Sequence, residues 1–329
     1  MKELYRLGMC DLHVSPIGLG TWQFSGGRGL VGKFWQALTQ EEANKIVYTS
    51  IAHGVTWFDT AEVYGNGVSE HTLAQALREV GSAGDDVVIA TKWFPAFRFA
   101  SSLGKTFSAR VDALGGRPID LHQIHQPFSF SSVEAQSQEL VKLLDAGHIR
   151  AAGVSNFNED FMRRAHKVLS KAGFGVATNQ MRYSLIDREI ERNGVLDAAK
   201  ELGISIIAYS PLSQGILTGR FHGEAGEDIR NRPGPRKWMG RFKAAGLEVT
   251  AGLVAELHSI GEKHGATAAQ VALAWTVQRH GTTIVAIPGA SSERQAQSNG
   301  EAMNITLTAE EIETLDQLGL AAEKQLKKS

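Results

Sequence analysis

The sequence contains a single cysteine, Cys10, among 329 residues. A lone thiol excludes an internal disulfide and a metal site built from several cysteines, so we predict neither. The sequence also lacks any stretch close to the roughly 18 consecutive apolar residues of a membrane-spanning helix, and charged side chains interrupt residues 1–19, where a secretory signal would be apolar. We therefore expect a cytoplasmic protein with no membrane partner.

Neither sign of charge dominates the composition. The chain has 34 Lys and Arg residues against 35 Asp and Glu residues, which gives a formal net charge of -1. This balance provides no global attraction to nucleic acid, so no nucleic-acid partner is expected. Hydrophobic residues make up 43% of the chain and charged residues 21%, as is typical of a globular protein with a large buried core. No metal site is predicted, and the composition does not indicate an oligomeric state.

Three apolar segments end in reactive side chains. The segment Trp57-Phe58 runs into Asp59 and, five residues later, Tyr64; two later apolar segments end in Lys92 and His125. If these segments are consecutive strands of one parallel barrel, each delivers its last polar side chain to the same C-terminal face, where such barrels keep their active sites. The pattern predicts that these four side chains converge and act as the catalytic group.

Their chemistry is that of proton transfer to a carbonyl. A lysine cation near a phenol favours the phenolate and lowers a pKa that starts near ~10. Asp59 would hold Lys92 charged and in place, and His125 would orient the carbonyl. Tyr64 could then donate a proton to the carbonyl oxygen, and a positioned general acid typically contributes ~10² to 10⁴ in rate.

Apolar segments alternate with amphipathic ones along most of the chain. This alternation predicts a (β/α)₈ barrel of the TIM type over a doubly wound sheet, as one domain spanning 1–329, with an N-terminal β-hairpin at residues 4–15 and long loops at the C-terminal face. The predicted barrel strands are 17–22, 57–59, 87–92, 121–125, 151–155, 177–180, 204–210 and 283–288.

Two regions interrupt the alternation. Residues 25–38 are rich in glycine and show no period, so we expect a loop over the active face. Residues 215–246 are long and cationic; this run is either a solvated loop or a lid attracted to a phosphate-bearing ligand. Its cationic residues are Arg230, Arg232, Arg236, Lys237, Arg241 and Lys243.

The segments FDTAEVYG, TKW and QIHQP resemble the catalytic segments of the aldo-keto reductases, whose Asp, Tyr, Lys and His fall on Asp59, Tyr64, Lys92 and His125. GVSN, NQ, AYSPLSQGILTG and PGASSERQAQSN resemble the nicotinamide-cofactor segments of the same family, while no G-x-G-x-x-G fingerprint occurs between a strand and a helix. The resemblance implies NADPH as cofactor, with NADH possible, and a small-molecule aldehyde or ketone as substrate. It assigns cofactor binding to Gly20, Thr21, Trp22, Asp59, Ser155, Asn156, Gln180, Tyr209, Ser210, Pro211, Leu212, Gly215, Pro288, Gly289, Ala290, Ser291, Arg294, Gln295 and Asn299.

The chain departs from the family pattern at two places. Relatives often carry an arginine or lysine just after the proline that follows the eighth strand, where this chain has Gly289 and Ser291; Arg294 is then the nearest candidate cation for a 2'-phosphate. Gln126 follows the family's catalytic histidine where many members have tryptophan, which leaves the expected chemistry intact but means that the resemblance implies no particular substrate preference.

Aromatic residues at strand ends predict a substrate pocket formed by Trp22, Phe24, Tyr64, Trp93, His125 and Phe128. The main prediction is a carbonyl reductase. Two other functions remain open at this point: a redox-sensing subunit that binds nicotinamide and a protein partner, and a barrel lyase or isomerase that uses Lys92 as a Schiff base.

Overall fold

The structure, a computed structural model, describes residues 3–29, 34–223, 226–231 and 234–327. Arg232 of the cationic run lies outside the described residues. Within the described residues, no helix is long and apolar enough to cross a membrane.

A parallel barrel forms the centre of the molecule. Eight strands pair in chain order in one parallel sheet. Parallel bridges from Ile17 to Ala286 and from Gly20 to Gly289 join the last strand to the first and close the sheet. The predicted (β/α)₈ barrel is confirmed. The hairpin strands are β1 (Tyr5–Arg6) and β2 (His13–Val14). The eight barrel strands in the described residues are β3 (Leu19–Gly20), β4 (Trp57–Asp59), β5 (Val88–Trp93), β6 (Ile119–Ile124), β7 (Ile149–Ser155), β8 (Val176–Arg182), β9 (Ser205–Tyr209) and β10 (Ile284–Ala286).

Helices cover the outside of the barrel. They are α1 (Gln40–Ala52), α2 (Val68–Val80), α3 (Ser102–Ala113), α4 (Val133–Asp145), α5 (Glu159–Lys171), α6 (Val195–Leu202), α7 (Ala244–His264), α8 (Ala268–Gln278), α9 (Glu293–Glu301) and α10 (Ala309–Leu326). The sequence did not predict α7, whose 21 residues begin inside the cationic run. Glycines at 246, 252 and 261 lower its helix propensity, so packing of its buried face stabilises a helix that local sequence does not favour.

The barrel interior is filled from the N-terminal end. The hairpin of β1 and β2 pairs Tyr5 with Val14, and its apolar residues join the inward side chains of the strands in one buried cluster. Trp57 is the largest of these, and its indole Nε1 donates a hydrogen bond to the Ser15 carbonyl at 2.9 Å. Its ring lies against Gly18, where a Cβ would approach the ring to 2.4 Å. This closed floor leaves the C-terminal face as the open end of the barrel.

Successive side chains of a strand point to opposite faces, so each barrel strand sorts its residues between the interior and the helices. In β5, Val88 and Ala90 belong to the interior cluster while Ile89 and Trp93 belong to the cluster beneath the helices. Lys92 shares the parity of the interior residues. Because side chains alternate between the two faces of the strand, the Lys92 side chain points into the barrel near the C-terminal end of β5.

Candidate active site

Asp59 and Lys92 form a buried ion pair at the ends of neighbouring strands. Lys92 Nζ donates to Asp59 Oδ1 at 2.5 Å and to the Thr60 carbonyl at 2.8 Å. The Lys92 side chain is fully buried and Asp59 is 1% exposed. Burial opposes the charged form of Lys92, but the adjacent Asp59 carboxylate holds the pKa of Lys92 above its ordinary value. Lys92 is therefore a fixed cation.

Tyr64 lies above this pair, in the loop that follows β4. Its hydroxyl is 3.5 Å from Lys92 Nζ, and the ammonium lies 5.0 Å from the centre of its ring. Burial raises the pKa of Tyr64 above its usual value, and the Lys92 charge opposes this shift without overcoming it. Lys92 lowers the Tyr64 pKa as predicted, but the net shift is upward, because removal of the phenol from water outweighs one nearby cation. Tyr64 is a protonated phenol beside a cation that would stabilise its conjugate base.

His125 completes the predicted group. It follows β6, and its ring meets the Tyr64 ring edge to face with centres 5.7 Å apart. Burial, reinforced by the charge of Lys92, holds the pKa of His125 well below its ordinary value. His125 is therefore a neutral imidazole at pH 7. The structure brings all four predicted catalytic residues together.

Two glutamines complete the contacts of the carboxylate. Asp59 Oδ2 accepts hydrogen bonds from Gln123 Nε2 at 3.1 Å and from Gln180 Nε2 at 2.9 Å. Gln123 lies on β6, two residues before His125, so both side chains point into the barrel, while His122 points outward and packs edge to face on Phe107. Sequence reasoning did not identify Gln123, although its parity with His125 was a usable signal.

An elongated cleft of about 1140 Å³ opens above the four residues and extends to the start of α9. Buried polar atoms of its lining that have no hydrogen-bond partner among the described residues include His125 Nδ1, Gln23 Oε1, Gln214 Oε1 and Trp35 Nε1. Buried polar groups in proteins are almost always paired. A polar ligand in this cleft would supply the missing partners, which fits a dinucleotide better than an apolar ligand.

Asn156 and Tyr209 are joined beside the catalytic group. Tyr209 Oη donates to Asn156 Oδ1 at 3.0 Å, and Asn156 Nδ2 donates to Ser155 Oγ at 2.9 Å. Asn156 has a φ of 58°, a left-handed conformation that costs energy for a residue other than glycine and that often marks functional sites. Together with Gln180, these residues place amide, hydroxyl and aromatic groups where the resemblance puts the nicotinamide.

The turn after β9 has the backbone of an anion-binding loop. Ser210, Ser213, Gln214 and Gly215 all have positive φ, between 46° and 108°. Left-handed residues within a tight turn can direct successive backbone N–H groups to one side, and such turns form concave sites for phosphates. Ser210, Pro211, Leu212 and Gly215 all line the cleft.

The segment after β10 forms the far end of the cleft. Ser292 caps α9, accepting a hydrogen bond from the Gln295 backbone N–H at 3.3 Å. Arg294 is exposed in the first turn of this helix and lines the cleft. Ala290 does not line it, since its side chain is 1% exposed and packs in the core. The predicted residues that do line this end are Pro288, Gly289, Ser291, Arg294, Gln295 and Asn299.

The Gln23 side chain takes the space beside Gly289. A Cβ built on Gly289 would lie 2.1 Å from Gln23 Nε2. The Gln23 amide therefore fills the space that a side chain at position 289 would need, and sequence reasoning did not identify this residue.

The predicted substrate pocket is partly wrong. Trp22, Tyr64 and His125 line the cleft, but Phe24, Trp93 and Phe128 do not. Phe24 is 2% exposed and Trp93 is 1% exposed; both pack in the core because Trp93 has the opposite parity to Lys92 and Phe24 lies in a short 3₁₀ turn, Trp22–Ser25. Phe128 is 72% exposed. Phe94 takes their place, edge to face with His125 at 5.8 Å.

The glycine-rich insert contributes two aromatic residues at or beside the cleft that the sequence reasoning did not single out. Phe34 stacks on Trp22 with ring centres 4.9 Å apart, and Trp22 stacks on Tyr64 at 6.0 Å. Trp35 lines the cleft beside them. The described part of the insert, at residues 34–38, therefore lies over the active face, as predicted.

The cationic run divides into surface and cleft residues. Arg230 is exposed and pairs with Asp228 at 2.6 Å. Arg241 pairs with Asp187 at 3.2 Å and lines a second cavity. Arg236 is 8% exposed and lies in the wall of the main cleft. The cationic run is therefore neither a fully solvated loop nor a lid whose described cations all face one ligand.

Comparison with known proteins agrees with this geometry. The model of the aldo/keto reductase family matches residues 16–319. A Mycobacterium tuberculosis protein described as an uncharacterised oxidoreductase is 38% identical over 303 residues, which is 92% of this chain and 88% of that protein. The chloroplastic pyridoxal reductase of Arabidopsis thaliana is 33% identical over 319 residues, covering 93% of this chain and 83% of that one.

Comparison with solved structures agrees with the family match. The glycerol dehydrogenase of Gluconobacter oxydans superposes with a TM-score of 0.82 at 26% identity, covering 96% of this chain and 94% of that one. An aldo-keto reductase from Klebsiella pneumoniae in complex with NADPH superposes with a TM-score of 0.73 at 25% identity, covering 97% and 95%. The chain therefore belongs to the aldo/keto reductase family and is an NAD(P)H-dependent oxidoreductase.

Proposed function

We propose that the protein is a cytoplasmic, NADPH-dependent reductase that converts an aldehyde or ketone to an alcohol, with Tyr64 as the proton donor. The observation that carries this proposal is the position of the Tyr64 hydroxyl, 3.5 Å from the buried ammonium of Lys92. A carbonyl oxygen bound next to Tyr64 would accept its proton while the carbon accepts hydride. Bound reduced nicotinamide supplies that hydride.

The protonation states of Tyr64 and Lys92 suit the reduction of a carbonyl. Because burial keeps the pKa of Tyr64 above its ordinary value, the phenol is protonated at neutral pH and has a proton to give. As the proton leaves, the Lys92 cation stabilises the phenolate, and the Asp59 carboxylate fixes the cation. Interactions that strengthen as charge develops lower the barrier, because they favour the transition state over the bound substrate.

His125 would orient the carbonyl rather than protonate it. Its low pKa leaves a neutral ring, which can donate one hydrogen bond from nitrogen to a carbonyl oxygen. Its edge contacts with Tyr64 and Phe94 fix the plane of the ring. The same contacts direct the substrate carbonyl toward the Tyr64 hydroxyl.

NADPH fits the polar groups along the cleft. Ser155, Asn156 and Gln180 offer hydrogen bonds to the nicotinamide carboxamide, and the Tyr209 ring offers a flat face. The turn at 210–215 offers backbone N–H groups to the pyrophosphate. The NADPH bound in the Klebsiella pneumoniae neighbour supports this choice.

The Schiff-base alternative conflicts with the state of Lys92. A lysine that attacks a carbonyl must be neutral, whereas Asp59 keeps the pKa of Lys92 above its ordinary value. A redox-sensing subunit would use the same cofactor site but would turn substrate over only slowly. A turnover measurement therefore distinguishes it from a reductase.

The test is a screen of NADPH oxidation with aldehydes, ketones, quinones and sugars, followed by Tyr64→Phe with the best substrate. We expect wild-type turnover above about 1 s⁻¹, the low end of ordinary enzymes. Tyr64→Phe is expected to lower turnover by roughly 10² or more at unchanged cofactor affinity, because the ring remains while the proton donor is lost.

The matched control is Tyr48→Phe, since Tyr48 is 62% exposed on α1. Wild-type turnover in Tyr64→Phe would refute the proton-donor role. Tight NADPH binding without turnover on any of the four substrate classes would favour the sensing function.

A further inference from the structure

One ion pair holds both backbone polar groups of Phe94. The Phe94 N–H donates to Glu62 Oε1 at 2.5 Å, and the Phe94 carbonyl accepts from Arg98 Nη1 at 3.0 Å. Arg98 Nη1 also donates to Glu62 Oε1, which closes the three groups into a ring. The side chains of Arg98 and Glu62 are 27% and 12% exposed. Because the Phe94 ring lies against His125 in the wall of the cleft, this ion pair fixes the backbone of a residue that faces the substrate.

Further hydrogen bonds hold Arg98 in one orientation. Its Nε donates to Ser102 Oγ at 3.0 Å and its Nη2 donates to Thr106 Oγ1 at 2.9 Å, both in α3. Its backbone carbonyl accepts from Ser129 Oγ at 2.8 Å and from the Phe130 N–H at 3.0 Å. The donors of a guanidinium form a rigid fork, so contacts at all three nitrogens leave it one position. Arg98 therefore joins the segment after β5 to α3 and to the loop after β6.

The turn between Phe94 and Arg98 is strained. The Arg98 N–H donates to the Pro95 carbonyl at 3.0 Å and closes a tight turn, in which Phe97 has a φ of 60°. A residue other than glycine in this conformation costs energy and keeps it only where the surrounding structure imposes it. Phe97 is 86% exposed, so packing of its own ring offsets little of that cost. The contacts of Arg98 are what stabilise this shape of the turn.

Glu62 connects the wall of the cleft to the proton donor. It lies between Asp59 and Tyr64 in the chain, and its backbone N–H donates to the Lys92 carbonyl at 3.3 Å. Its carboxylate reaches from this loop to the Phe94 backbone. The ion pair therefore sets the position of the Phe94 ring relative to the Tyr64 hydroxyl.

We infer that Glu62 and Arg98 are positioning residues that hold the Phe94 ring where it contacts an aromatic carbonyl substrate, and that they thereby determine a preference for aromatic over short aliphatic carbonyls. This inference rests on the proposed function. Attraction between two rings falls steeply as a gap opens between them, so an aromatic substrate depends on the position of this wall. A short aliphatic aldehyde has no ring to pack on Phe94.

The inference separates a positioning role from a purely structural one. If the ion pair only stabilised the fold, its loss would affect both classes of substrate alike. If it positions Phe94, its loss raises KM for the aromatic substrate alone, at unchanged kcat and unchanged NADPH affinity. The effect must also disappear once the Phe94 ring is absent, because the pair then has no ring to position.

The experiment measures kcat and KM for benzaldehyde and for propanal at saturating NADPH. The variants are Arg98→Ala, Arg98→Lys, Glu62→Ala, Glu62→Gln, Phe94→Ala and the Phe94→Ala/Arg98→Ala double variant. The matched control is Arg117→Ala, since Arg117 is similarly buried at 21% exposed and likewise contacts a carboxylate, Asp85, and a carbonyl, that of Gly84. Circular dichroism and the NADPH dissociation constant verify that each variant is folded.

We expect Arg98→Ala and Glu62→Ala to raise KM for benzaldehyde by about 10-fold, the scale of losing one well-packed ring contact. Both should leave KM for propanal at the wild-type value. Glu62→Gln keeps an oxygen that accepts from Phe94 and Arg98, and Arg98→Lys keeps the charge, so both should give smaller rises. The double variant should match Phe94→Ala, and Arg117→Ala should match wild type.

Two results would overturn the positioning role: equal changes for the two aldehydes, or a KM for benzaldehyde in the double variant well above that of Phe94→Ala. If an alanine variant does not fold, Glu62→Gln and Arg98→Lys decide, and wild-type KM for benzaldehyde in both would refute the inference. A wild type that reduces neither aldehyde would overturn this inference alone if other carbonyls are reduced. Absence of any carbonyl reduction would overturn the proposed function as well.

Discussion

The Lys92 ammonium donates a hydrogen bond to Asp59 Oδ1 across 2.5 Å, between two side chains with almost no exposure to solvent. The two charges act in opposite senses on the neighbouring phenol. Lys92 lowers the pKa of Tyr64 and Asp59 raises it, while burial exceeds both and leaves the pKa above its ordinary value. Removing either charge should therefore move the Tyr64 pKa in a direction that identifies the charge removed.

We predict opposite shifts of the pH profile in Lys92→Met and Asp59→Asn. The descending limb of kcat/KM for carbonyl reduction reports loss of the Tyr64 proton. That limb should lie above about pH 10 in wild type, since burial raises a pKa that starts near 10. It should move to higher pH in Lys92→Met and to lower pH in Asp59→Asn. Profiles from pH 6 to 11 with one substrate provide the test, and coincident limbs would show that this pair does not tune the phenol.

We predict that Arg294→Ala weakens NADPH and leaves NADH unchanged. A guanidinium can grip a 2'-phosphate through paired hydrogen bonds, a contact of about 1.5 to 3 kcal/mol, or about 10 to 100-fold in affinity. Arg294 lies in the first turn of α9, where the helix N-terminus also favours an anion. Dissociation constants at low and moderate salt measure the effect. Equal weakening of both cofactors, or equal binding of both by wild type, would make Arg294 an ordinary surface charge.

We predict that Glu70 makes the fold less stable as pH rises. Glu70 is fully buried on α2, accepting hydrogen bonds from Thr91 Oγ1 and Arg110 Nη1, each at 2.7 Å. Burial raises the pKa of Glu70 to about 7 from 4.5, although Arg110 opposes the shift. A raised folded-state pKa means that the folded protein binds the proton more tightly. Its contribution to stability is complete below the unfolded pKa and is lost as pH rises through about 7.

The variant Glu70→Gln removes this titration. A rise from about 4.5 to about 7 corresponds to roughly 3 kcal/mol. The free energy of unfolding of wild type should therefore fall between pH 5 and pH 8 by up to about 3 kcal/mol more than that of Glu70→Gln. Urea unfolding of both proteins at the two pH values measures the difference, and parallel pH dependence would contradict the prediction.

We predict that Phe94 contributes to substrate binding and that Phe128 does not. Phe94 lines the cleft against His125, so Phe94→Ala should raise KM for aromatic carbonyls by about 10-fold, the scale of losing one well-packed ring contact. Phe128 is exposed outside the cleft, which makes Phe128→Ala the matched control. Cofactor dissociation constants should not change in either variant. A larger rise in KM in Phe128→Ala than in Phe94→Ala would show that the substrate does not bind against Phe94.

The sequence by itself determined the barrel and the identity of the four converging residues. The strand β4 is apolar until Asp59, β5 is apolar apart from Thr91 until Lys92, and β6 leads directly into His125. The ends of parallel strands meet on one face. Asp59, Lys92 and His125 therefore had to meet, whatever the details of packing. The parity of a strand likewise placed His122 outside and Gln123 inside, and the same rule would have removed Trp93 from the predicted pocket.

Only the tertiary structure decided the properties that depend on what surrounds each side chain in the folded protein. The sign of the net Tyr64 pKa shift follows from burial against two opposing charges, and no local pattern reports how far a phenol is removed from water. Packing of its buried face stabilises helix α7, and the glycines in its sequence made this helix hard to predict. The contact between Trp35 and Arg236 joins residues about 200 positions apart, in two loops without periodicity. Loops of this kind obtain their positions from what they pack against, because they have no strand or helix pattern to fix the direction of their side chains.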